Sequence, residues 1–541
     1  MNVLIGNAWP YANGSLHIGH IAALLPGDIL ARYFRAKGDK VFFVSGSDCH
    51  GTPVAIRARQ ENKTPEEISD YYHNEFADCF NRLGFSYDLY GKTSSNEHRS
   101  FVTDFHKKLY DGGYVYEKST PQAYCEKCKQ FLPDRFVKGL CPHCGEFARG
   151  DQCEACGSVL EPENLLQAEC SICGESPEFR STNHLYLAVT RMKEELGKYI
   201  ESHSDWRKNA YEMSKRYIHE GLRDRSLTRD LDWGIDVPKD GFGDKKIYIW
   251  AENVLGYLSD CYTLCRRQGI DFYEFWNSSR QYYVHGKDNI PFHTIILPSL
   301  LLGRTDINLK MADDIISSEY LTLEGRKIST SGNWAIWVKD ILERYNPDSI
   351  RYFLIANGPE KRDTDFTWRE FINSHNGELL GAYGNFVNRS LVFIQKYFEN
   401  KIPKVQCNQN IYQSLTKLYP HIGELIEQGN FKEALDTIFV FVRAANKYFD
   451  EEQPWITIKS DIKKCKETLN TCVQIIANLS HLLEPFLPFS SAKIRNILKI
   501  ENVVWQCIEV PAGLELGQVE ILFERIDKKV IHEEEVKLRG Y

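Results

Sequence analysis

Val3-Leu4-Ile5-Gly6-Asn7-Ala8-Trp9-Pro10-Tyr11-Ala12-Asn13-Gly14-Ser15-Leu16-His17-Ile18-Gly19-His20 is the stretch from which the fold is read. It begins with a short buried strand, Val3–Ile5, and breaks at a turn punctuated by Pro10, Asn13 and Gly14. Helical spacing follows over Ile18–Phe34, then a second apolar run, Val41-Phe42-Phe43-Val44, which ends at Gly46-Ser47-Asp48. Strand, helix and strand at this spacing make a βαβ unit and therefore a parallel sheet. Ligands of such sheets bind beyond the carboxyl ends of the strands, where the Pro10–His20 turn and Asp48 both fall. His17 and His20, three residues apart at a helix start, share one side and can donate to a phosphate, helped by free backbone N–H groups and the helix dipole. Gly19 leaves the backbone between them open to a nucleotide.

Outward from that unit, strand-like runs resume at Ile247-Tyr248-Ile249-Trp250 and Tyr282-Tyr283-Val284, and a helical run, Phe292–Leu302, follows. These form the second half of the same α/β domain. Between the halves lies an insertion with four Cys-x-x-Cys pairs: Cys125/Cys128, Cys141/Cys144, Cys153/Cys156 and Cys170/Cys173. Each pair is half of a four-thiolate zinc site, so four pairs make two sites. The segment repeats internally, since Cys125–Cys144 and Cys153–Cys173 both read Cys-x-x-Cys, a dozen or so residues, Cys-x-x-Cys, which by itself suggests pairing neighbours in sequence. From Phe371 to Ile497 apolar residues recur at three and four spacing, which predicts an all-helical bundle. Ile521–Ile526 and the charged stretch after it are too short for a further domain.

The composition excludes several classes. A net charge of −8, from 66 Lys+Arg against 74 Asp+Glu, argues against wholesale electrostatic attraction to nucleic acid, though not against a local basic face. No charged n-region with a long apolar core precedes Val3, so no secretory signal is expected, and no uncharged run approaches the ~20 residues that span a bilayer. The remaining cysteines, among them Cys49, Cys79, Cys261 and Cys507, are scattered in the manner of reduced thiols rather than a disulfide framework. A cytoplasmic, non-membrane protein is the expectation.

A late polar loop, Gly325-Arg326-Lys327-Ile328-Ser329-Thr330-Ser331-Gly332-Asn333, combines cations, hydroxyls and flanking glycines, which suits an anion clamp over a leaving phosphate. With His17-Ile18-Gly19-His20 it resembles the paired signatures of the class I aminoacyl-tRNA synthetases. Within that class the chain is most similar to the methionyl enzymes. The similarity rests on Ala8–Gly14, Gly46–Pro53, Phe131–Arg135, His285–Asp288, Glu452–Trp455 and the Cys pairs. Competing readings are another class I synthetase, a nucleotidyltransferase sharing the first signature, or a catalytically silent tRNA-binding protein. Room for only a modest insertion between the signatures, and the bundle carrying Trp455, favour the methionyl reading.

The resemblance implies a Rossmann-like parallel-sheet catalytic domain split by a zinc-binding connective insertion and followed by an α-helical bundle. The expected boundaries are 1–114 and 236–317 for the catalytic halves and 115–235 for the insertion. Residues 318–370 form the signature-loop region, 371–510 the anticodon-binding bundle and 511–541 a C-terminal tail. It implies activation of L-methionine with ATP and Mg2+, then transfer to tRNA(Met). His17, His20, Lys327, Ser329 and Thr330 would be catalytic. ATP would be met by Asn13, Gly14, His17, Gly19, His20, Lys287, Asp288, Lys327 and Thr330. Methionine would be met by Ala8, Trp9, Tyr11, Asp48, Trp250, Tyr257 and His293, and the anticodon by Asn385, Arg389 and Trp455. It also implies nested Zn2+ sites, Cys141/Cys144 with Cys153/Cys156 inside Cys125/Cys128 with Cys170/Cys173, and a monomer. The chain departs from the pattern at Thr330, where a second lysine is usual, and Arg326 is a candidate to replace that charge. Trp9, Asn253, Val254 and Asn289 also depart from the bacterial pattern around the pocket.

Overall fold

The computed structural model describes residues 1–133, 136–150, 153, 156, 160, 162–330 and 332–540. The strands that organise it are β1 (Asn2–Asn7), β2 (Lys40–Ser47) and β3 (Leu89–Lys92), then a ribbon of β4 (Val115–Cys125) and β5 (Glu178–Leu187), then β6 (Arg280–Gly286) and β7 (Asp314–Ser318). Five of them form one sheet in the order β7-β6-β1-β2-β3, and all neighbours are parallel. β1 sits at the centre, with Ile5 paired to Phe43 on one side and Tyr282 on the other. The strand order reverses between β1 and β6, which opens a crevice at their carboxyl ends.

Alternation along the strands divides the core in two. Val3, Ile5, Phe43 and Tyr282 pack on the side of α1 (Ile18–Ala36), while Leu4, Phe42, Val44 and Tyr283 face the other side. α2 (Thr52–Glu61) adds Val54 and Ala58 to the α1-side core, while on the second side α3 (Asn96–Asp111) and α4 (Gly256–Gln268) supply Val102, Phe105, Leu258 and Cys261. Both faces of the sheet are therefore covered, which is why β1 and β2 read as continuous apolar runs.

β4 and β5 pair antiparallel from Val115↔Leu187 to Tyr124↔Glu178. At roughly 3.3 Å per residue this ribbon is about 30 Å long. It carries at its tip a knob with its own core of Ala123, Leu132, Phe136, Val137, Leu160 and four cysteines. The knob leans on α2: Ile56 packs against its core, and Arg59 donates to Gln130 and lies over the Phe136 ring.

Beyond β7, α5 (Pro347–Ala356) leads to the bundle, whose main helices are α6 (Asn385–Tyr397), α7 (Gln409–Glu427), α8 (Phe431–Glu452) and α9 (Ile462–Leu482). The bundle's core is continuous with the α1 side of the sheet. A buried polar hub ties the two together. Arg351 of α5 donates to Asp28 of α1 at 2.7 Å and to the carbonyls of Leu83, Pro485 and Phe486. Arg32 bridges Asp28 and Glu484, at 2.9 and 2.7 Å. Burial opposes ionisation of Asp28, but the Arg32 and Arg351 guanidinia outweigh it and hold the carboxyl well below its ordinary range.

Two expectations need correction. Ile247–Trp250 is not a strand: pairing ends at Ile247, and Ile249–Ala251 forms a tight 3₁₀ turn that aims Trp250 at the crevice. A short buried apolar run cannot be assigned by periodicity alone. Nor are residues 511–541 a loose tail. They run back to α10 (Lys529–Gly540), whose Glu534 is 2% exposed and receives Arg344 at 2.8 and 3.0 Å and Tyr345 at 3.1 Å. Among the described residues no helix is long and apolar enough to cross a membrane.

Candidate active site

The turn after β1 places His17 and His20 over the crevice with their rings stacked, centroids 3.8 Å apart. His17 caps α1, accepting at Nδ1 from the Gly19 N–H at 3.1 Å, while the His17 N–H donates to His20 Nδ1 at 3.1 Å. Both Nδ1 atoms are thus acceptors, so in the neutral rings both protons sit on Nε2. Burial lowers both pKa values, His17 further through its neighbour and His20 to about 4. The pair therefore offers two neutral N–H donors at neutral pH.

The late loop closes over this turn. The N–H of Ile18 donates to the Ile336 carbonyl at 3.0 Å and that of Val338 to Leu16 at 2.8 Å. A Cβ on Gly19 would meet the His17 ring at 3.0 Å and Ile328 Cδ1 at 3.3 Å, so Ile328 rests on the histidine turn. Ser329 and Trp334 exchange both backbone bonds at 2.9 Å, and Ser329 Oγ accepts from the Gly332 N–H. Lys327 is exposed in the hairpin of Leu321–Leu323 with Arg326–Lys327, Thr330 lies in the turn, and Ser331 lies outside the described residues. The Arg326 guanidinium lies 4.8 Å over the Trp334 ring, and successive residues of a strand point to opposite sides, which sets it apart from Lys327.

The expected amino-acid pocket assembles from distant segments. Tyr11 bridges to Asp48, with Ala12 and Asp48 each donating a backbone bond at 2.8 Å across the crevice. Tyr11 meets Trp250 edge-on at 6.2 Å. The Tyr257 hydroxyl and His293 Nε2 are 2.8 Å apart, and His293 Nδ1 donates to the Asn289 carbonyl at 2.8 Å, so Tyr257 is the donor to Nε2. Ala8 donates its N–H to the Val284 carbonyl, and Trp9 packs its indole against Gly46 and Gly256. Asp48 is fully buried, and its hydrogen-bond donors are neutral, the His50 N–H and the Asn253 amide. Burial, then the nearby Glu252 charge, raise its pKa well above the ordinary carboxylate value.

Asn13 and Gly14 lie in the turn ahead of His17, and no atom within 4 Å would block a Cβ on Gly14. Lys287, at the end of β6, is held by Glu319 at 2.7 Å and Asp363 at 2.8 Å over the Tyr320 ring, and the Tyr320 hydroxyl donates to Asp288. Asn385 and Arg389 stand one turn apart on α6. Arg389 pairs with Asp450 at 2.5 Å and stacks 4.6 Å over Phe449 and 5.9 Å from Trp455, which is 43% exposed.

The cysteines gather as two nested groups, Cys125/Cys128/Cys170/Cys173 and Cys141/Cys144/Cys153/Cys156, with all Sγ atoms of a group within 4.8 Å of one another. Sγ separations of 3.4 and 3.9 Å in the outer group, and 3.8 and 3.6 Å in the inner, bracket the edge of about 3.8 Å that a tetrahedron of 2.3 Å zinc–sulfur bonds requires. Two knuckles are built alike. Gly145 and Gly174 take left-handed φ of 76° and 78° and donate to Cys141 and Cys170, whose own N–H groups donate to Glu146 and Glu175. The donor set and spacing fit a structural zinc ion in each group. Of the Phe131–Arg135 motif, Asp134 and Arg135 lie outside the described residues.

Sequence reasoning missed Phe292, stacked on Trp250 at 3.6 Å and 8°, and the stacking of His285 on His293 at 4.1 Å. Phe292 opens the helical run expected after β6, where an aromatic next to a histidine was the only available signal. Glu252 was also missed: its carboxylate meets His50 Nδ1 at 2.5 Å beneath Asp48.

A parallel sheet with an imidazole pair at its switch point, a cationic loop above it and a helical bundle behind defines the architecture of a class I aminoacyl-tRNA synthetase. Comparison with known proteins agrees. The family model of tRNA synthetases class I (M) matches residues 3–391, and that of the anticodon binding domain of methionyl tRNA ligase matches residues 403–541. Methionine–tRNA ligase 1 of Alkaliphilus oremlandii is 53% identical over 544 residues, covering 99% of this chain and 100% of the relative. A methionine–tRNA ligase of Bacillus cereus is 54% identical over 545 residues, covering 100% and 99%. The fold matches the crystal structure of Mycobacterium tuberculosis methionyl-tRNA synthetase bound by methionyl-adenylate, with a TM-score of 0.81, 19% identity and coverage of 97% and 100%. The chain belongs to the methionine–tRNA ligase family.

Proposed function

We infer that the chain activates L-methionine with ATP and transfers the methionyl group to tRNA(Met). In the first step a methionine carboxylate oxygen bonds to the α-phosphorus of ATP as the bond to the β-phosphate bridging oxygen breaks, giving methionyl-adenylate and pyrophosphate. In the second, a ribose hydroxyl at the tRNA 3′ end attacks the methionyl carbonyl, and AMP leaves with the bonding electrons. Neither step needs a covalent enzyme nucleophile, so positioning and charge stabilisation carry the rate.

His17 and His20 donate their Nε2 protons to the phosphate oxygens on which charge grows, as neutral donors. Lys327, with Ser329 and Thr330, holds the departing pyrophosphate, and Asn13, Gly14 and Gly19 let the nucleotide lie against the turn. Lys287 and Asp288 border the nucleotide at the end of β6. Asp48 pairs with the methionine ammonium, and Ala8, Trp9, Tyr11, Trp250, Tyr257 and His293 enclose the thioether, where rings contact sulfur favourably. Mg2+ bound with ATP supplies neutralising charge to the phosphates. Bound zinc supplies fixed geometry to the knob, which the eight cysteines hold at the end of the ribbon. Asn385, Arg389 and Trp455 read unpaired anticodon bases by stacking and hydrogen bonding.

The observation that carries this reading is the meeting, at one switch point, of two neutral imidazole donors and a buried carboxylate that accepts from neutral donors among the described residues. Pyrophosphate exchange into ATP tests it: L-methionine supports exchange and the other amino acids do not. Loss of amino-acid dependence overturns the reading. Arg389→Ala and Trp455→Ala leave exchange intact and raise the tRNA KM by about tenfold, since stacking of a base on a ring contributes ~1–3 kcal/mol. An unchanged KM removes these residues from the anticodon site.

A further inference from the structure

β7 is an edge strand of the sheet, and residues 206–209, which follow the ribbon in sequence, are bonded along it. Trp206 Nε1 donates to the Asp313 carbonyl at 2.8 Å, and Arg207 donates to the carbonyls of Ser317 at 3.1 Å and Gly429 at 2.9 Å. Asn209 stands on this anchored segment. Its Oδ1 accepts from the Ala210 N–H at 2.8 Å and from the Ser317 hydroxyl at 2.6 Å. A backbone N–H can only donate, so the amide is fixed with Nδ2 turned the other way. Nδ2 donates to Glu319 Oε1 at 3.0 Å and to the Ser317 carbonyl at 3.3 Å.

Glu319, one residue past β7, uses its other oxygen on the lysine at the end of β6. Lys287 Nζ donates to Glu319 Oε2 at 2.7 Å and to Asp363 at 2.8 Å, 3.8 Å above the Tyr320 ring. The two acids do not hold it equally. The Glu319 side chain is 17% exposed and that of Asp363 56%, so water and salt screen the outer pair far more than the inner one. An ammonium on a flexible four-carbon stem has no fixed place of its own. Glu319 gives Lys287 its place, and Asn209 stops the Glu319 carboxylate from turning.

We propose that Asn209 is a positioning residue for nucleotide binding: by holding Glu319 Oε1 it fixes Oε2, and with it the place of the Lys287 ammonium at the carboxyl end of β6. The proposal rests on the assignment of Lys287 to the nucleotide. None of the bonds in this relay involves a residue assigned to methionine, so loss of Asn209 falls on ATP and spares the amino acid. A charge held a fraction of an ångström out of place weakens binding without abolishing it.

Methionine-dependent pyrophosphate exchange, measured against ATP and against methionine, tests this with the full chain. Asn209→Asp keeps the shape and both acceptor bonds, removes the donor and sets a second carboxylate against Glu319. We expect it to raise the ATP KM about tenfold with the methionine KM unchanged, and Asn209→Ala to raise the ATP KM severalfold. Glu319→Gln raises the ATP KM by itself, and adding Asn209→Ala to it changes nothing further, because residues acting in series do not add. A wild-type ATP KM in Asn209→Asp overturns the proposal, as does an equal rise in the methionine KM or a multiplied effect in the double variant. Should Asn209→Asp not fold, the cycle of Asn209→Ala with Glu319→Gln decides. An unchanged ATP KM in Lys287→Ala removes Lys287 from the nucleotide and this proposal with it, while leaving methionine activation standing. Absence of methionine-dependent exchange in the wild type overturns the functional reading itself.

Discussion

At His17 and His20 the chemistry depends on a hydrogen-bond pattern that the residue letters do not contain. Two backbone N–H groups occupy both Nδ1 atoms and leave both Nε2–H groups outward. Removing one such donor typically costs 10²–10³ in rate, so His20→Ala should lower methionine-dependent exchange by about that factor. With His20 titrating near 4, no rise or fall assignable to it should appear in the exchange rate between about pH 6 and 9. The late loop separates two adjacent cations. Lys327→Ala should slow adenylate formation by about two orders of magnitude, whereas Arg326→Ala, whose guanidinium rests on Trp334, should leave the single-turnover rate near wild type. A large loss in Arg326→Ala would restore that residue as the missing second charge. The histidine turn was legible because all its parts lie within four consecutive residues. Phe292, His285 and Glu252 were not, because each gains its role from a contact with a segment far away in sequence.

The ribbon and knob show what spacing can and cannot tell. Eight cysteines in pairs announced two metal sites, but the internal repeat favoured pairing neighbours, and resemblance alone supplied the nested order that the Sγ positions display. Nesting makes the sites separable. Cys128→Ser should reduce bound zinc from two equivalents to one and leave the Cys141 group loaded, as read by metal analysis after desalting. Loss of both equivalents would mean that the sites are not independent. The inner group closes a gap of 9 residues between Cys144 and Cys153, against 42 between Cys128 and Cys170 in the outer. Closure entropy favours the shorter loop by about 1.4 kcal/mol, so zinc added to the unfolded chain should fill the inner site first. The end of the chain was read as a tail because it is too short for a further domain, yet α10 docks through one buried carboxylate. Glu534→Gln should cost about 1–3 kcal/mol, seen as a lower Tm, because it weakens charge-assisted bonds to Arg344.

In the molecule as a whole, catalytic sheet and bundle share one continuous core and one polar hub. Arg351→Leu leaves Asp28 buried with Arg32 alone and should destabilise the fold by about 3–5 kcal/mol in denaturant. Acid sensitivity follows from histidines buried as neutral rings. His106 and His293 titrate near 4 in the fold, through burial, against about 6.5 when unfolded. The unfolded chain therefore binds more protons between these values. Stability is full above about pH 6.5 and falls on the way to pH 4, by about 3 kcal/mol for each ring, measurable as a declining Tm. The α/β class and the helical bundle were legible because long periodic runs report burial directly. The sheet order was not, since it depends on which strands meet across the insertion. That order has a consequence for synthesis. β1 needs Arg280–Gly286 as its second neighbour, and Val3 pairs with Arg280 only after the whole insertion has emerged. At about 5–20 residues per second, the apolar edge of β1 waits on the order of 15–55 s on the ribosome before it is covered. During that interval the nascent chain presents an unpaired Val3-Leu4-Ile5 edge, so this half-made sheet is where crowding and chaperone supply should bear hardest on yield.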